Sequence, residues 1–155
     1  MPEFVGRLEP VARVAVVVSQ YHERITSRLL EGATATCLEA GMPPDNIDVL
    51  WVTGAFELGV VSTAAAHSGR YDAIVALGAV IRGDTPHFEF VAREAASALG
   101  RAASDSLVPV GFGLLTCDTM DQAEARAGGA AGNKGRDAAE AALRTANLIR
   151  QALEE

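Results

Sequence analysis

An almost unbroken apolar run at residues 71–81 is the feature that most constrains how this 155-residue chain can fold. It lacks the polar alternation of a strand with one face in water, so it predicts a strand buried on both faces of a parallel sheet. Gly83 and Asp84 then interrupt the apolar pattern. Because Pro86 disfavours the α region for the residue before it, we expect Thr85 to cap a new helix and Pro86 to be its first residue.

Three other apolar segments, at residues 11–18, 47–52 and 108–115, also predict strands. Segments with helical periodicity lie between them, and a last one begins near Arg136. Thr119 and Gln122 form a capping-box pattern that predicts a short helix through Arg126. Because strands that alternate with helices are typical of parallel sheets, we predict an α/β fold: a flavodoxin-like three-layer α/β/α sandwich with a four-stranded parallel sheet. We expect one domain over residues 1–155, with residues 1–10 as an N-terminal arm.

Charge and composition limit the partners and the cellular location that we expect for the protein. The formal net charge of −7 and a sequence pI near 4.9 argue against nucleic acid or an anionic membrane surface as the main partner. No segment reaches the roughly 18 unbroken apolar residues of a membrane span. The first residues lack a basic start followed by an apolar core, so we expect a soluble, cytoplasmic protein. The two cysteines and three histidines lack the spacing of metal ligands, so we expect no metal site.

Side chains suited to ligand binding follow the predicted strands. Open α/β sheets bind ligands at the carboxyl edge, where helix N-termini also attract anions. Tyr21 and Phe56 could sandwich a planar heterocycle, although Phe56 and Phe112 could instead be core residues. His87 falls in a first helical turn, where it could transfer protons or be an ordinary surface residue. The groups expected to converge on this edge are Tyr21 and His22, residues 54–57, residues 84–87 and Phe112.

A glycine-rich turn at residues 128–135 follows Arg126 and contains Lys134, the single lysine of the chain. An arginine fork and a lysine beside flexible backbone suit a phosphate in so acidic a protein. Turns also need glycine for conformational reasons alone, so an ordinary solvated turn is the alternative. Arg82 is a rival candidate for binding an anion.

Four segments resemble one enzyme family, the lumazine synthases, in the family's order and spacing. They are residues 16–26 with 29–33, residues 54–58 (Gly-Ala-Phe-Glu-Leu), residues 78–91 (Gly-Ala-Val-Ile-Arg-Gly-Asp-Thr-Pro-His-Phe-Glu-Phe-Val), and residues 126–128 with 131–135. The resemblance implies condensation of 5-amino-6-(D-ribitylamino)uracil with 3,4-dihydroxy-2-butanone 4-phosphate. The products would be 6,7-dimethyl-8-ribityllumazine, phosphate and water, in the penultimate step of riboflavin synthesis. It also implies that the reaction uses neither a metal nor an organic cofactor.

For the pyrimidine substrate, the resemblance implies that Tyr21 stacks on the ring, where family members often have Phe or Trp. Phe112, from a neighbouring subunit, would close the ring pocket. The residues that would hold the ribityl chain and the ring are Ala55, Phe56 and Glu57, and those that would read the ring are Ala79, Val80 and Ile81.

For the phosphorylated substrate, the resemblance implies that Asp84 and Thr85 meet the phosphate at a helix start, where amide dipoles favour an anion. Arg126, supported by Lys134, would neutralise the phosphate. His87 would be the proton shuttle, because imidazole gives and takes protons near neutral pH.

Three positions depart from the family's pattern. Thr53 replaces a common proline, His22 replaces a common asparagine, and Asp84 places an acid beside the expected phosphate. Two other functions stay open: an archaeal-type riboflavin synthase, which acts on two lumazines, and a non-catalytic flavin-binding or shell-forming homologue. The intact phosphate side argues against the first, and the intact catalytic pattern argues against the second.

The resemblance also implies a homo-oligomer. Lumazine synthases form pentamers, and members with a short glycine-rich turn tend to join twelve pentamers into a hollow icosahedral shell. An insertion at that turn tends to stop assembly at one or two pentamers. Residues 128–135 carry no insertion, so we expect a sixty-subunit shell with active sites completed across subunit boundaries.

Overall fold

The computed structural model describes residues 1–154 and has a four-stranded parallel sheet at its centre. The strands are β1 (Val14–Ser19), β2 (Ile47–Val52), β3 (Ala73–Ile81) and β4 (Val110–Cys117), and they lie in the order β2-β1-β3-β4. Every neighbouring pair is parallel, so the predicted sheet is confirmed. Residue 155, the predicted end of the domain, lies outside the described residues.

Helices cover both faces of the sheet, as predicted for a three-layer sandwich. They are α1 (Glu23–Glu39), α2 (Leu58–His67), α3 (His87–Ser106), α4 (Met120–Arg126) and α5 (Lys134–Leu153). One apolar cluster packs α1 and α5 against the sheet, and a second cluster packs α2 and α3 against the opposite face. The side chains of β1 alternate between the two clusters and are all inaccessible to solvent. Each buried aliphatic side chain contributes roughly 1.5–3 kcal/mol, which explains why the strands read as unbroken apolar runs.

Two helix starts test the capping predictions. Helix α4 begins after Thr119, whose side chain accepts a hydrogen bond from the Gln122 amide at 3.2 Å, as predicted. Helix α3 begins at His87, one residue later than predicted, because Pro86 has a ψ of 4°, outside the helical range. Thr85 Oγ1 still accepts a hydrogen bond from the His87 amide at 3.4 Å. Thr85 therefore supports the helix start from one position further away than expected.

The glycine-rich segment folds into a small hairpin that leads into α5. Its strands are β5 (Ala127–Gly129) and β6 (Gly132–Asn133), and Gly128 has a φ of +94°, which favours glycine. Asn133 caps α5 by accepting hydrogen bonds from the amides of Gly135 and Arg136 at 2.8 and 3.1 Å. The helix consequently begins at Lys134 rather than near Arg136. The cap and the hairpin together determine where Lys134 stands.

Residues 1–10 form neither a helix nor a strand, and the second half of this arm lies along α5. The buried amide of Asn147 donates to the carbonyl oxygens of Arg7 and Glu9, both at 2.9 Å. The side chains of Phe4 and Val5 are exposed. Among residues 1–154, no helix has the length and apolar character needed to cross a membrane.

Candidate functional site

A cavity of about 690 Å³ lies at the carboxyl edge of the sheet. It lies beside the boundary between β1 and β3, where the strand order reverses. From β1 the chain continues to β2 on one side, and from β3 it continues to β4 on the other. Crevices at such reversals are the usual ligand sites of open α/β sheets. The loops after β1 and β2, the end of β3 and the start of α3 all border it. The predicted site residues that the structure brings together here are Tyr21, Ala55, Phe56, Glu57, Ala79, Val80, Ile81, Thr85 and His87.

The aromatic residues of the predicted site are surface residues. Tyr21, Phe56 and Phe112 are exposed to 68%, 56% and 52%, so the alternative that Phe56 and Phe112 belong to the core is wrong. Exposed aromatic rings beside a cavity are typical of binding surfaces, because their faces gain by being covered. Tyr21 and Phe56 therefore present apolar surface to the first cavity.

A second cavity, of about 300 Å³, lies along β4 and holds other predicted residues. Phe112, Arg126 and Lys134 line it, and these three residues do not line the first cavity. The Arg126 guanidinium donates to the Gln122 carbonyl oxygen at 3.0 Å, and Lys134 Nζ lies 3.6 Å from the Asp137 carboxylate. The chain therefore carries two separate groups of predicted site residues.

The position expected for Phe112 is wrong. The fourth strand continues to Cys117 instead of ending at residue 115. Phe112 pairs with Ala76, whereas Ile81, at the end of β3, pairs with Cys117. Phe112 therefore lies well before the carboxyl edge and does not converge there with the other groups.

Known proteins place the chain in a family. The profile of the family described as 6,7-dimethyl-8-ribityllumazine synthase matches residues 11–150. A protein of Gemmatimonas aurantiaca named 6,7-dimethyl-8-ribityllumazine synthase is 55% identical over 156 residues, covering 99% of this chain and 94% of the relative. The chain belongs to the 6,7-dimethyl-8-ribityllumazine synthase family. The predicted family, the α/β fold and the function of a lumazine synthase in riboflavin biosynthesis are thereby confirmed.

The lumazine synthase cavity also contains His22, which was expected at this edge but was given no role in binding. Its ring centroid lies 4.4 Å from that of Tyr21, and its backbone is left-handed, with φ 59° and ψ 44°. Asparagine and histidine are among the few non-glycine residues enriched in this conformation, which explains why histidine can replace the family's common asparagine here. Partial burial lowers the pKa of His22, because desolvation disfavours the charged imidazolium. The sequence feature that could have drawn attention to His22 was its replacement of the asparagine that is common at this position of the family's pattern.

The turn between β3 and α3 departs from the predicted phosphate contacts at one residue. Gly83 and Thr85 line the first cavity, but Asp84 is exposed and does not line it. Arg82 lines the cavity as well, although its guanidinium is already paired with Asp118 and Glu89. The rival assignment of Arg82 as a free anion ligand therefore has little support.

Proposed function

We propose that this lumazine synthase condenses 5-amino-6-(D-ribitylamino)uracil with 3,4-dihydroxy-2-butanone 4-phosphate to give 6,7-dimethyl-8-ribityllumazine, phosphate and water. The observation that carries the proposal is the meeting of Tyr21, Phe56 and His87 in one cavity at the carboxyl edge. Two aromatic rings suit a flat pyrimidine, and an imidazole beside them suits a reaction that moves protons. The cavity volume of about 690 Å³ lies within the usual range of small-molecule sites.

Unpaired backbone at the end of β3 supports recognition of the pyrimidine ring. The pairing of β1 with β3 ends at Val18 and Leu77, whereas β3 continues to Ile81 along β4. On the side facing β1, residues 79–81 therefore lack a strand partner in the described part of the chain. Successive residues of a strand turn their backbone groups to opposite sides, and Ile74 and Arg82 donate to the strand on the β4 side. The amides and carbonyl oxygens of Ala79 and Ile81 are therefore the ones available to hydrogen-bond the edge of a ring. Ala79 and Ile81 would read the ring in this way, with Val80 lining the cavity between them.

Polar groups in the loop after β2 suit the ribityl chain. Glu57 is half-buried and lines the cavity next to Ala55 and Phe56. An ionised carboxylate accepts hydrogen bonds from several hydroxyl groups at once, and such charge-assisted bonds are short and strong. Glu57 would thus bind the polyol chain while Phe56 covers the ring.

The phosphate of the second substrate would lie between the two groups of site residues. Thr85 lies two residues before α3, whose first amides favour an anion, and Asp84, which does not line the cavity, would contribute only its backbone. Arg126 and Lys134, the cationic residues of the second cavity, would come from a neighbouring subunit together with Phe112. The separation of the two cavities within one subunit supports this shared site.

His87 would move the protons of the reaction. The amine must add to the ketone carbonyl, water must leave, and the phosphate group must be eliminated. Each of these steps needs a proton to be given or taken near neutral pH, which imidazole does best among the side chains. The exposed side chain of His87 lies at the first residue of α3, between the proposed ring and phosphate contacts.

The surface of the subunit supports a homo-oligomer. Strands β2 and β4 are the two edges of the sheet, and Trp51 and Phe112 lie exposed on them. Open edges and exposed apolar side chains such as Val60 and Phe90 favour burial against other subunits. A pentamer would cover them, and the compact hairpin at Gly128 leaves room for twelve pentamers to form a sixty-subunit shell. We further propose that the enzyme acts as a single domain in the cytoplasm and uses neither a metal nor an organic cofactor.

The direct test is an assay with both substrates and purified protein in the presence of a chelator. We expect one phosphate to be released for each fluorescent lumazine formed. Formation of riboflavin from two lumazines would instead identify the archaeal-type riboflavin synthase reaction. Tight binding of a flavin or lumazine without turnover would identify a non-catalytic homologue.

A further inference from the structure

Arg82 lines the first cavity and connects the end of β3 to the start of α3 and to the loop after β4. Its Nε donates to Asp118 at 2.8 Å, and its Nη1 lies 3.5 Å from Glu89. Its guanidinium carbon stacks 4.7 Å from the centre of the Phe88 ring. Its amide donates to the Cys117 carbonyl oxygen at 2.9 Å, continuing the pairing of β3 with β4. Main chain and side chain therefore both tie Arg82 to its neighbours.

The partners of Arg82 lie beside the residues proposed to act on the phosphorylated substrate. Phe88 and Glu89 belong to the first turn of α3 and follow His87 directly. Asp118 precedes Thr119, which caps the short helix that ends at Arg126. A displacement of the Arg82 side chain would consequently release the turn that carries Thr85 and the start of α3.

Charge argues against a direct contact between Arg82 and a phosphate. One guanidinium faces two carboxylates, those of Asp118 and Glu89, so the cluster has no excess positive charge to offer an anion. The charge-assisted hydrogen bond from Nε to Asp118 holds the guanidinium against the loop after β4. The guanidinium directs Nε at Asp118 and Nη1 at Glu89, which matches a clamp between two structural elements.

We propose that Arg82 is a positioning residue for the phosphorylated substrate. Held by Asp118, Glu89 and Phe88, it places the turn at residues 83–86 and the start of α3 so that they can bind the phosphate, without binding it itself. This inference rests on the proposed function of the site.

The location of the cluster makes the inference testable by mutation. The side chains of Arg82, Asp118 and Glu89 are about half exposed or more, at 47%, 65% and 54%. Exposed ion pairs add little to the free energy of unfolding, so variants should fold and assemble normally. If the turn at residues 83–86 is displaced in the variants, the rate of lumazine formation should fall, since small misplacements of reacting groups slow reactions strongly.

The decisive comparison is between Arg82→Ala and Asp118→Ala. If Arg82 positions the turn, both variants should lower kcat/KM for the butanone phosphate by about ten- to a hundred-fold, with the pyrimidine KM changed by less than about two-fold. The double variant should be no worse than either single variant, because each removes the same clamp. Arg82→Lys should behave like Arg82→Ala, since an ammonium group cannot bridge both carboxylates in the same geometry.

The control is Arg101→Ala, which removes an exposed arginine of α3 whose guanidinium lies 3.4 Å from Glu94. It should leave both Michaelis constants unchanged. Should Asp118→Ala unfold, Asp118→Asn gives the same comparison with a side chain of nearly the same size.

Three results would overturn the inference. If Arg82→Ala raised the KM for butanone phosphate while Asp118→Ala left it unchanged or lowered it, Arg82 would be a direct phosphate ligand. Multiplicative effects in the double variant would show that the two residues act separately. Wild-type rates in both single variants would show that the cluster has no role in the site. A wild-type protein that formed no lumazine would contradict the proposed function instead, before any variant was compared.

Discussion

His87 and Arg126 line two different cavities of the chain, His87 at the start of α3 and Arg126 at the end of α4. Both residues are proposed to act on one substrate molecule. In the proposed shared site, Arg126 of one subunit faces His87 of another. Each subunit would then contribute to two active sites, and the predictions below separate the roles of the two halves.

Replacing His87 with alanine should slow turnover by on the order of ten- to a thousand-fold, because one acid-base group is lost. The KM for the pyrimidine should stay near the wild-type value, and proximity of the bound substrates should support the residual rate. Initial rates of lumazine formation measure both quantities. His67→Ala is a suitable control, since His67 lies on α2 with Nδ1 2.9 Å from the Thr63 carbonyl oxygen and does not line the cavity. Unchanged turnover in the His87 variant would remove it from the mechanism.

Arg126→Ala should raise the KM for butanone phosphate far more than the KM for the pyrimidine. The reason is the loss of a charge-assisted contact that only the phosphorylated substrate makes. Lys134→Ala should show a smaller change of the same kind. Steady-state kinetics with each substrate varied in turn give the two constants. If the constants rose together, Arg126 would be supporting the structure rather than the phosphate.

The assembly should be a particle of sixty subunits at neutral pH. The hairpin of β5 and β6 carries no insertion, and the exposed apolar residues of α2, α3 and both sheet edges need covering. Sedimentation velocity on dilute protein measures the size directly. A stable species of five or ten subunits would reject the shell and leave the shared site intact, whereas a fully active monomer would reject the shared site.

Asp48 should make stability depend on acid pH. Hydrogen bonds from Tyr71 at 2.6 Å and Arg13 at 2.8 Å lower the pKa of its carboxyl group. The unfolded chain therefore takes up a proton at Asp48 at higher pH than the folded chain. The resulting stability is present above about pH 4 and is lost as pH falls through the lowered pKa.

The matching experiment compares thermal unfolding of Asp48→Asn with wild type over a range of pH. We expect a lower Tm for the variant at pH 7 and a difference that shrinks toward about pH 3. Asp45→Asn, at an exposed position just before β2, should match wild type throughout. An equal difference between Asp48→Asn and wild type at both pH values would show that the carboxylate charge is irrelevant.

Much of the fold could be predicted because burial leaves a local pattern. The strand at residues 47–52 has the bounds that were predicted, and the apolar run at residues 71–81 contains β3. The first strand begins at Val14 rather than at residue 11, because its pairing with β2 and β3 begins with Ile47 and Ala73. The first residue of this strand is determined by where its partner strands begin, so it cannot be predicted from the local sequence.

The site was predictable where loops follow consecutive strands and unpredictable where distant residues meet. Tyr21, Phe56 and His87 each follow a strand, and the parallel sheet brings them together. The contact of Arg82 with Asp118 spans 36 residues and depends on the pairing of Ile81 with Cys117. The placement of Phe112 beside Ala76 depends on the same register. Neither can be read from the sequence without knowing which strands pair.

Mixing two defective subunits tests the shared site most directly. His87→Ala and Arg126→Ala proteins would be unfolded together, refolded as a mixture, and assayed at a butanone phosphate concentration where each alone is nearly inactive. If the site is shared, random assembly of an equal mixture should restore about a quarter of the wild-type sites, because some sites receive both intact halves. Activity no greater than the average of the two separate proteins would show that His87 and Arg126 do not meet across a subunit boundary.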